Sequence, residues 1–122
     1  MEKGYNIEME TRGEHLWVLV GGPRLTAEIS AAYWNEIAAE CAGANCEKVL
    51  IEKNFVETVS PEEMILMADN LSRTLPHVRV AFIDRFRHGS INELGKKLAR
   101  NRDVMFQVFE NIHDAEKWLG AN

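Results

Sequence analysis

The fold is decided by residues 46–84, which read CEKVLIEKNFVETVSPEEMILMADNLSRTLPHVRVAFID. Two short apolar runs rich in β-branched residues, Val49–Ile51 and Val78–Ile83, have the length and composition of strands. The segment between them opens with Ser60 and Pro61 and then repeats apolar residues at helical spacing. A strand, a helix and a second strand in this order predict a right-handed parallel crossover. Because both runs are nearly continuous in apolar residues, we expect helices to cover the sheet.

The residues before this unit predict a β-hairpin followed by a helix. Alternation of polar and apolar residues near the N-terminus is typical of an edge strand. The apolar run Leu16–Val20 predicts a buried second strand, which Gly21-Gly22-Pro23 would end. Thr26 is a suitable N-cap, and apolar residues at helical spacing predict a first helix over about 27–42, closed by Gly43.

The second helix has the clearest start in the chain. Ser60 can cap it, and Pro61 suits its first position because the missing N–H of proline would be unpaired there anyway. Glu63 can reach back to complete a capping box. The helix is predicted to end at Leu75, because the residue before Pro76 is pushed out of the helical conformation.

The first full turn of this helix is apolar on every side. It consists of Met64, Ile65, Leu66 and Met67, and one of these side chains must face away from the sheet. We interpret the turn as a contact with a second copy of the chain, most simply in a two-fold dimer. The alternative is a methionine-lined core with one stray exposed residue.

The C-terminal third predicts a helix, a strand and a final helix. A second capping box, Ser90-Ile91-Asn92-Glu93, marks the third helix, residues 104–109 form a last strand, and Asn111 caps a short helix that would dock on the sheet edge. The predicted order is β-β-α-β-α-β-α-β-α. This is an α/β fold in which an N-terminal hairpin leads into a mostly parallel sheet of four to five strands. Along the inner strands, one of the two sets of alternate residues is mostly apolar. We therefore expect one face of the sheet to form the main core and the other face to carry a thinner cover.

Length and composition indicate one ordinary globular domain over residues 1–122, with 46% hydrophobic and 27% charged residues. The net charge is −5: residues 1–70 hold thirteen acidic and five basic residues, and residues 71–122 hold six and nine. This distribution is not that of a nucleic-acid-binding protein. No apolar run is long enough for a membrane span, and the first residues lack the apolar core of a signal peptide, so we expect a cytoplasmic protein.

Motifs for chemistry are scarce. The four histidines are scattered without the spacing of metal ligands, and Cys41 and Cys46 have no further cysteine partner, so we expect reduced thiols and no metal site. No nucleophile elbow, phosphate-binding loop or dinucleotide fingerprint is present. We therefore expect no catalytic residues, no cofactor and no enzymatic activity.

Two stretches carry a family resemblance. Residues 22–28, GPRLTAE, look like a glycine-x-leucine-threonine entry to helix 1, and residues 109–119, FENIHDAEKWL, are similar to a closing phenylalanine, alanine and tryptophan-leucine pattern. With the order of elements, they resemble the STAS family, which has the SpoIIAA-like fold, and more closely its SpoIIAA-like single-domain branch. The resemblance implies a protein-interaction or regulatory module. In signalling members the helix after strand 3 opens with aspartate-serine-serine-glycine and a serine is phosphorylated, whereas residues 60–63 here read SPEE, so the phosphorylation switch is not expected.

A binding site is expected beyond the carboxyl ends of the strands, as in other open α/β sheets. The polar loops there predict that an anionic group, phosphate or carboxylate, docks between Arg85, Arg87 and Ser90 at a helix N-terminus. The alternative is that these are solvated loop charges. The full set of candidate binding residues is Asn54, Phe55, Glu57, Asp84, Arg85, Arg87, His88 and Ser90.

Two functions remain open on the sequence alone. The first is a STAS-like module that binds a protein partner. The second is a carrier of a small apolar or anionic, lipid-like ligand, because the sheet-and-helix layout is similar to that of lipid-binding domains and the apolar second helix could line a cleft.

Overall fold

The computed structural model describes residues 4–120 and contains one five-stranded sheet with four helices. The strands follow the order β1-β2-β3-β4-β5 across the sheet; β1 is antiparallel to β2, and all other neighbours are parallel. This confirms the predicted α/β order with its N-terminal hairpin. The elements are β1 (Asn6–Arg12), β2 (His15–Arg24), α1 (Ala27–Ala44), β3 (Lys48–Glu57), α2 (Pro61–Thr74), β4 (Arg79–Asp84), α3 (Gly89–Asn101), β5 (Met105–Phe109) and α4 (Ile112–Gly120).

The two faces of the sheet differ in their cover, as predicted from the strand parity. On the first face, Ile51 and Phe82 belong to the main core, which α1, α2 and α3 contribute to. On the second face, a smaller cluster packs Leu50 and Ala81 against Leu119 of α4. The last helix therefore packs mainly on β4 and also reaches β3 and the edge strand β5, where Trp118 packs against Phe109. It lies further in than the predicted position at the sheet edge, because the apolar residues Leu50 and Ala81 lie on β3 and β4.

The prediction that Gly21-Gly22-Pro23 ends the second strand was also wrong. Strand β2 continues through these residues, and Gly21 lies opposite Asn54 of β3. A Cβ atom on Gly21 would lie 2.6 Å from the Asn54 carbonyl oxygen, so the strands can approach this closely only without a side chain there. As a consequence β3 also runs on to Glu57, and the loop before α2 begins at Thr58.

Helix α1 begins where predicted and ends later. The Thr26 hydroxyl accepts a hydrogen bond from the Ile29 N–H at 3.1 Å, which confirms the N-cap. At the other end Asn45, with φ of 55°, adopts the left-handed conformation expected of Gly43. Asparagine tolerates this conformation, and the Cys46 N–H then bonds back to the Cys41 carbonyl oxygen, as in a Schellman motif.

The start of α2 is confirmed in part. The Ser60 hydroxyl accepts a hydrogen bond from the Glu63 N–H at 3.2 Å. The Glu63 carboxylate, however, accepts a hydrogen bond from the Ala27 N–H of α1 rather than completing a capping box. The predicted box did not take into account that the beginnings of two helices lie side by side.

The apolar first turn of α2 points two side chains inward and two outward. Met64 and Met67 are buried against the sheet, whereas Ile65 is 43% and Leu66 60% exposed. The sequence predicted one outward side chain in this turn, and the structure has two. Ile65 and Leu66 are called the α2 patch below.

Candidate binding edge at the carboxyl ends of β3 and β4

The ends of β3 and β4 are neighbours in the sheet, with Lys53 opposite Asp84, so the loops that follow them lie together. Asn54 and Glu57 are exposed on the last part of β3. Phe55 was expected among the binding residues, but it is only 2% exposed and packs in the core against Tyr33. Strand alternation explains this correction, because the longer β3 turns Phe55 toward the helices.

Asp84 organises the loop between β4 and α3. Its carboxylate accepts hydrogen bonds from the Phe86 N–H at 3.0 Å, the His88 N–H at 2.8 Å and the Asn92 amide nitrogen at 2.9 Å. Burial alone would raise the pKa of Asp84, but the hydrogen bonds from Asn92, His88 and Phe86 outweigh burial and lower it below the ordinary 3.8. A carboxylate of the chain itself therefore lies just before the start of α3.

His88 ties this loop to the end of β3. Its Nδ1 atom lies 2.9 Å from the Asp84 carboxylate, and its Nε2 atom lies 3.1 Å from the Val56 carbonyl oxygen. Both ring nitrogens therefore face an oxygen atom of the protein. Held in this way, the imidazole contributes to the rigidity of the edge and presents neither nitrogen to a ligand.

Arg85 takes no part in the hydrogen bonds around Asp84, and its side chain points to the second face of the sheet. Its Nη2 atom lies 2.9 Å from the carboxylate of Glu52, which is 4% exposed and also accepts a hydrogen bond from the Trp17 indole at 2.6 Å. Sequence reasoning missed this buried carboxylate. The available signal was a glutamate inside an otherwise apolar strand, which in a folded protein needs partners.

Helix α3 begins at Gly89, and His88 at its N-cap position makes no side-chain capping bond. The predicted capping box at Ser90 is wrong, because Ser90 lies inside the first turn, where it is exposed. Arg87 is exposed at φ 51°. The binding of an anion between Arg85, Arg87 and Ser90 stays a prediction. Because Arg85 pairs with Glu52, only Arg87 and Ser90 of the three remain available for that anion.

Two large apolar side chains are exposed at this edge. Val56 is 57% exposed, and Phe86 is 46% exposed with its ring centroid 6.2 Å from that of His88. His88 also bonds to the Val56 backbone, so the two residues flank one histidine. We call Val56 and Phe86 the edge patch.

A narrow apolar cleft lies behind the edge, between α2, α3 and the first face of the sheet. Met64, Met67 and Phe82 line it, and Lys53 is the charged residue in its wall. Lys53 is only 9% exposed. The sequence interpretation missed it, although a lysine two residues from Ile51 and two from Phe55 shares their buried parity.

Residues 4–120 contain no group of histidine, cysteine and acidic side chains that could hold a metal ion. Within that same range, none of the helices is long and apolar enough to cross a membrane.

Comparisons with known proteins give likenesses in structure only. No protein-family model matches the sequence, and no curated protein matches it. An anti-sigma factor antagonist from Mycobacterium paratuberculosis superposes with a TM-score of 0.66 at 11% identity, over 96% of this chain and 95% of that one. A protein of the DUF3478 family with a SpoIIAA-like fold, from Shewanella loihica, gives 0.60 at 20% identity, over 95% and 94% of the two chains. Together with the strand order and the placement of the four helices, these likenesses show that the chain has the SpoIIAA-like fold.

Proposed function

We propose that this protein is a non-enzymatic regulatory module that binds a protein partner through the edge patch. The observation that carries the proposal is the exposure of Val56, at the end of β3, and Phe86, in the loop after β4, which are joined through hydrogen bonds of His88 to Asp84 and to the Val56 carbonyl oxygen. Exposed apolar side chains on a pre-ordered surface favour protein binding, because little conformational entropy is lost on association. Asn54 and Glu57 lie near Val56 in the chain, Arg87 follows Phe86, and all three are exposed, so they can supply a polar rim.

The module acts without a phosphorylation switch at the start of α2. One structural neighbour is described as an anti-sigma factor antagonist, and the resemblance noted above places a phosphorylated serine at the corresponding helix start in signalling relatives. Here Pro61 and Glu62 stand at those positions, and the Ser60 hydroxyl already accepts a hydrogen bond from Glu63. A phosphate on Ser60 would also lie beside the acidic pair Glu62 and Glu63 and be repelled.

A comparison of edge variants tests the proposal. Tagged wild-type protein, a Val56→Asp/Phe86→Asp double variant and a Met105→Asp control are expressed in the source cells and cross-linked. Met105 is 48% exposed at the amino end of β5, so the control removes exposed apolar surface from the opposite end of the sheet.

The expected result is one recurrent partner that is captured by the wild type and the control but lost with the double variant. That partner, purified and titrated against each variant by calorimetry, should bind the double variant at least about tenfold more weakly. Equal affinities of all three proteins for the purified partner would contradict the proposed surface.

A second candidate function, a carrier of a small apolar or anionic ligand, is favoured by the cleft beneath α2. Its walls are apolar and its methionines are adaptable, which suits the uptake of a small molecule. Native mass spectrometry of freshly purified protein distinguishes the two functions. A carrier shows a co-purifying small molecule, whereas a module of the first kind shows bare protein.

A further inference from the structure

Lys53 is a cation within the main core. It lies on β3 between Ile51 and Phe55, on the face that α1, α2 and α3 cover, and is more than nine-tenths buried. Its ammonium nitrogen lies 4.8 Å from the centroid of the Phe82 ring and 5.7 Å from that of Tyr33. The charge therefore lies near two aromatic rings, and the side chain borders an apolar cleft that Met64 and Met67 also line.

Within residues 4–120 this ammonium has no counter-ion. No carboxylate oxygen lies within 4.0 Å of it, and it donates no hydrogen bond to a protein acceptor. Its neighbour in the sheet register is Asp84, but the Asp84 oxygens are engaged by Phe86, His88 and Asn92. Glu52, next in the chain, points to the opposite face and pairs with Arg85.

Aromatic contacts hold the Lys53 ammonium without neutralising it. A ring face attracts a cation weakly, whereas a carboxylate pairs with it directly. No carboxylate oxygen of residues 4–120 lies within 4.0 Å of this nitrogen, so an anion that enters the cleft would have Lys53 as its partner.

The space in front of Lys53 is apolar and shaped for a narrow occupant. The cleft is narrow, because its cavity volume of about 40 Å³ is well below that of an ordinary small-molecule site. Its walls come from Met64, Met67 and Leu71 on one side and Phe82 on the other. Helix α3 passes close by at Gly95, where a Cβ atom would lie 3.3 Å from the Met64 sulfur.

We infer that this cleft binds a small apolar carboxylic acid, whose carboxylate pairs with the Lys53 ammonium while its hydrocarbon chain lies between Met64, Met67 and Phe82. The inference rests on the second function proposed above and names the chemical class of its ligand. Charge complementarity selects a carboxylate over a neutral molecule, and the apolar walls select a hydrocarbon tail over a small polar anion.

Binding requires the methionine side chains to move. In the present structure the cavity volume of about 40 Å³ leaves room for a few water molecules only. Methionine is unbranched and adapts its rotamers readily, so Met64 and Met67 can open the space under α2. A short hydrocarbon chain needs the least opening.

Octanoate and octanol, which share a chain length and differ in charge, are the probes. Protein labelled at its methionine methyl groups is titrated with each probe and followed by NMR, with Met105 as a reference outside the cleft. Lys53→Met removes the ammonium while keeping a long apolar side chain. Lys48→Met is the matched control, because it removes a charge from the same strand where the lysine is paired with Glu14.

The expected result is that octanoate shifts the Met64 and Met67 signals and leaves Met105 unchanged. Octanol should bind at least about tenfold more weakly than octanoate. Lys53→Met should remove that preference, and Lys48→Met should keep it. Shifts in the wild type do not depend on whether the Lys53 variant folds, so the comparison of the two probes tests the inference by itself.

Two outcomes overturn the inference in different ways. If octanoate and octanol shift Met64 and Met67 with equal affinity, a carrier function stands and the anionic ligand is wrong. If neither probe shifts these signals, both the ligand class and the carrier function are wrong, and Lys53 is a hydrated core lysine.

Discussion

The Glu63 carboxylate of α2 accepts a hydrogen bond from the Ala27 N–H at the start of α1, with 3.1 Å between the two atoms. The first N–H groups of a helix have no partner within the helix, and the positive end of its dipole favours a negative charge. Glu63 therefore serves α1 from a neighbouring helix. Thr26 caps the same helix locally through Ile29, so two side chains from distant parts of the chain hold its beginning.

We expect Glu63→Ala to lower the free energy of unfolding by about 1 kcal/mol, because it removes a charge-assisted hydrogen bond to a helix N-terminus. The control is Glu62→Ala, which removes an exposed carboxylate from the same turn of α2 without breaking a side-chain bond. Urea denaturation of the three proteins measures the difference. Equal losses for the two variants would show that only the general charge near α2 matters.

Ser60→Ala should also cost about 1 kcal/mol of stability, since it leaves the Glu63 N–H without its acceptor. Ser90→Ala is the matched control: Ser90 lies in the first turn of α3, where no side-chain capping bond exists. Thermal unfolding should separate the two variants. A loss at Ser90 as large as that at Ser60, or phosphate found on Ser60 in cells, would count against a purely structural Ser60.

Acid should weaken the fold through Asp84. Its pKa in the folded protein lies below the ordinary 3.8, so the carboxylate contributes stability above that value and loses it as the pH falls through the lower, folded pKa. We expect Asp84→Asn to be less stable than the wild type at pH 7 and to show a smaller loss on acidification below 3.8. Urea denaturation at a series of pH values measures this. Parallel stability curves for the two proteins would show that Asp84 is not a source of the acid dependence.

The α2 patch makes self-association testable. Ile65 and Leu66 are exposed apolar neighbours on one helix, and we expect them to pair with a second copy of the chain about a two-fold axis. Light scattering should give the mass of a dimer for the wild type and of a monomer for Ile65→Glu and Leu66→Glu. Val56→Glu places the same charge on another exposed apolar residue and should stay dimeric. A wild-type monomer at micromolar concentration would remove the idea.

The N-caps of the helices show which structural features follow from the local sequence. Thr26, Ser60 and Asn111 were predicted as N-caps, and each accepts the hydrogen bond expected of it. Such a bond joins residues three apart, so composition and order suffice to predict it. The capping box at Ser90 failed because α3 begins at Gly89, which places Ser90 inside the helix instead of at its N-cap.

The candidate site was predictable in position but not in composition. Carboxyl ends of parallel strands meet at one edge, and Asp84, Arg87 and His88 do lie there. The turning of Arg85 to Glu52 and the burial of Phe55 depended on strand length and on which face each side chain took. The length of β3 in turn depends on Gly21, which allows the close approach of β2 to Asn54 and does not form a turn.

The sequence by itself determined the α/β class, the order of the elements and the parity that separates a main core from a thinner face, because hydrophobic periodicity and local capping act over a few residues. Only the tertiary structure decided that Glu63 serves α1, that α4 packs mainly on β4, and that Lys53 is buried with no carboxylate oxygen of residues 4–120 within 4.0 Å of its ammonium. These relationships join residues far apart in the chain. Which residues come together over such distances depends on packing and burial, and a local sequence pattern does not predict it.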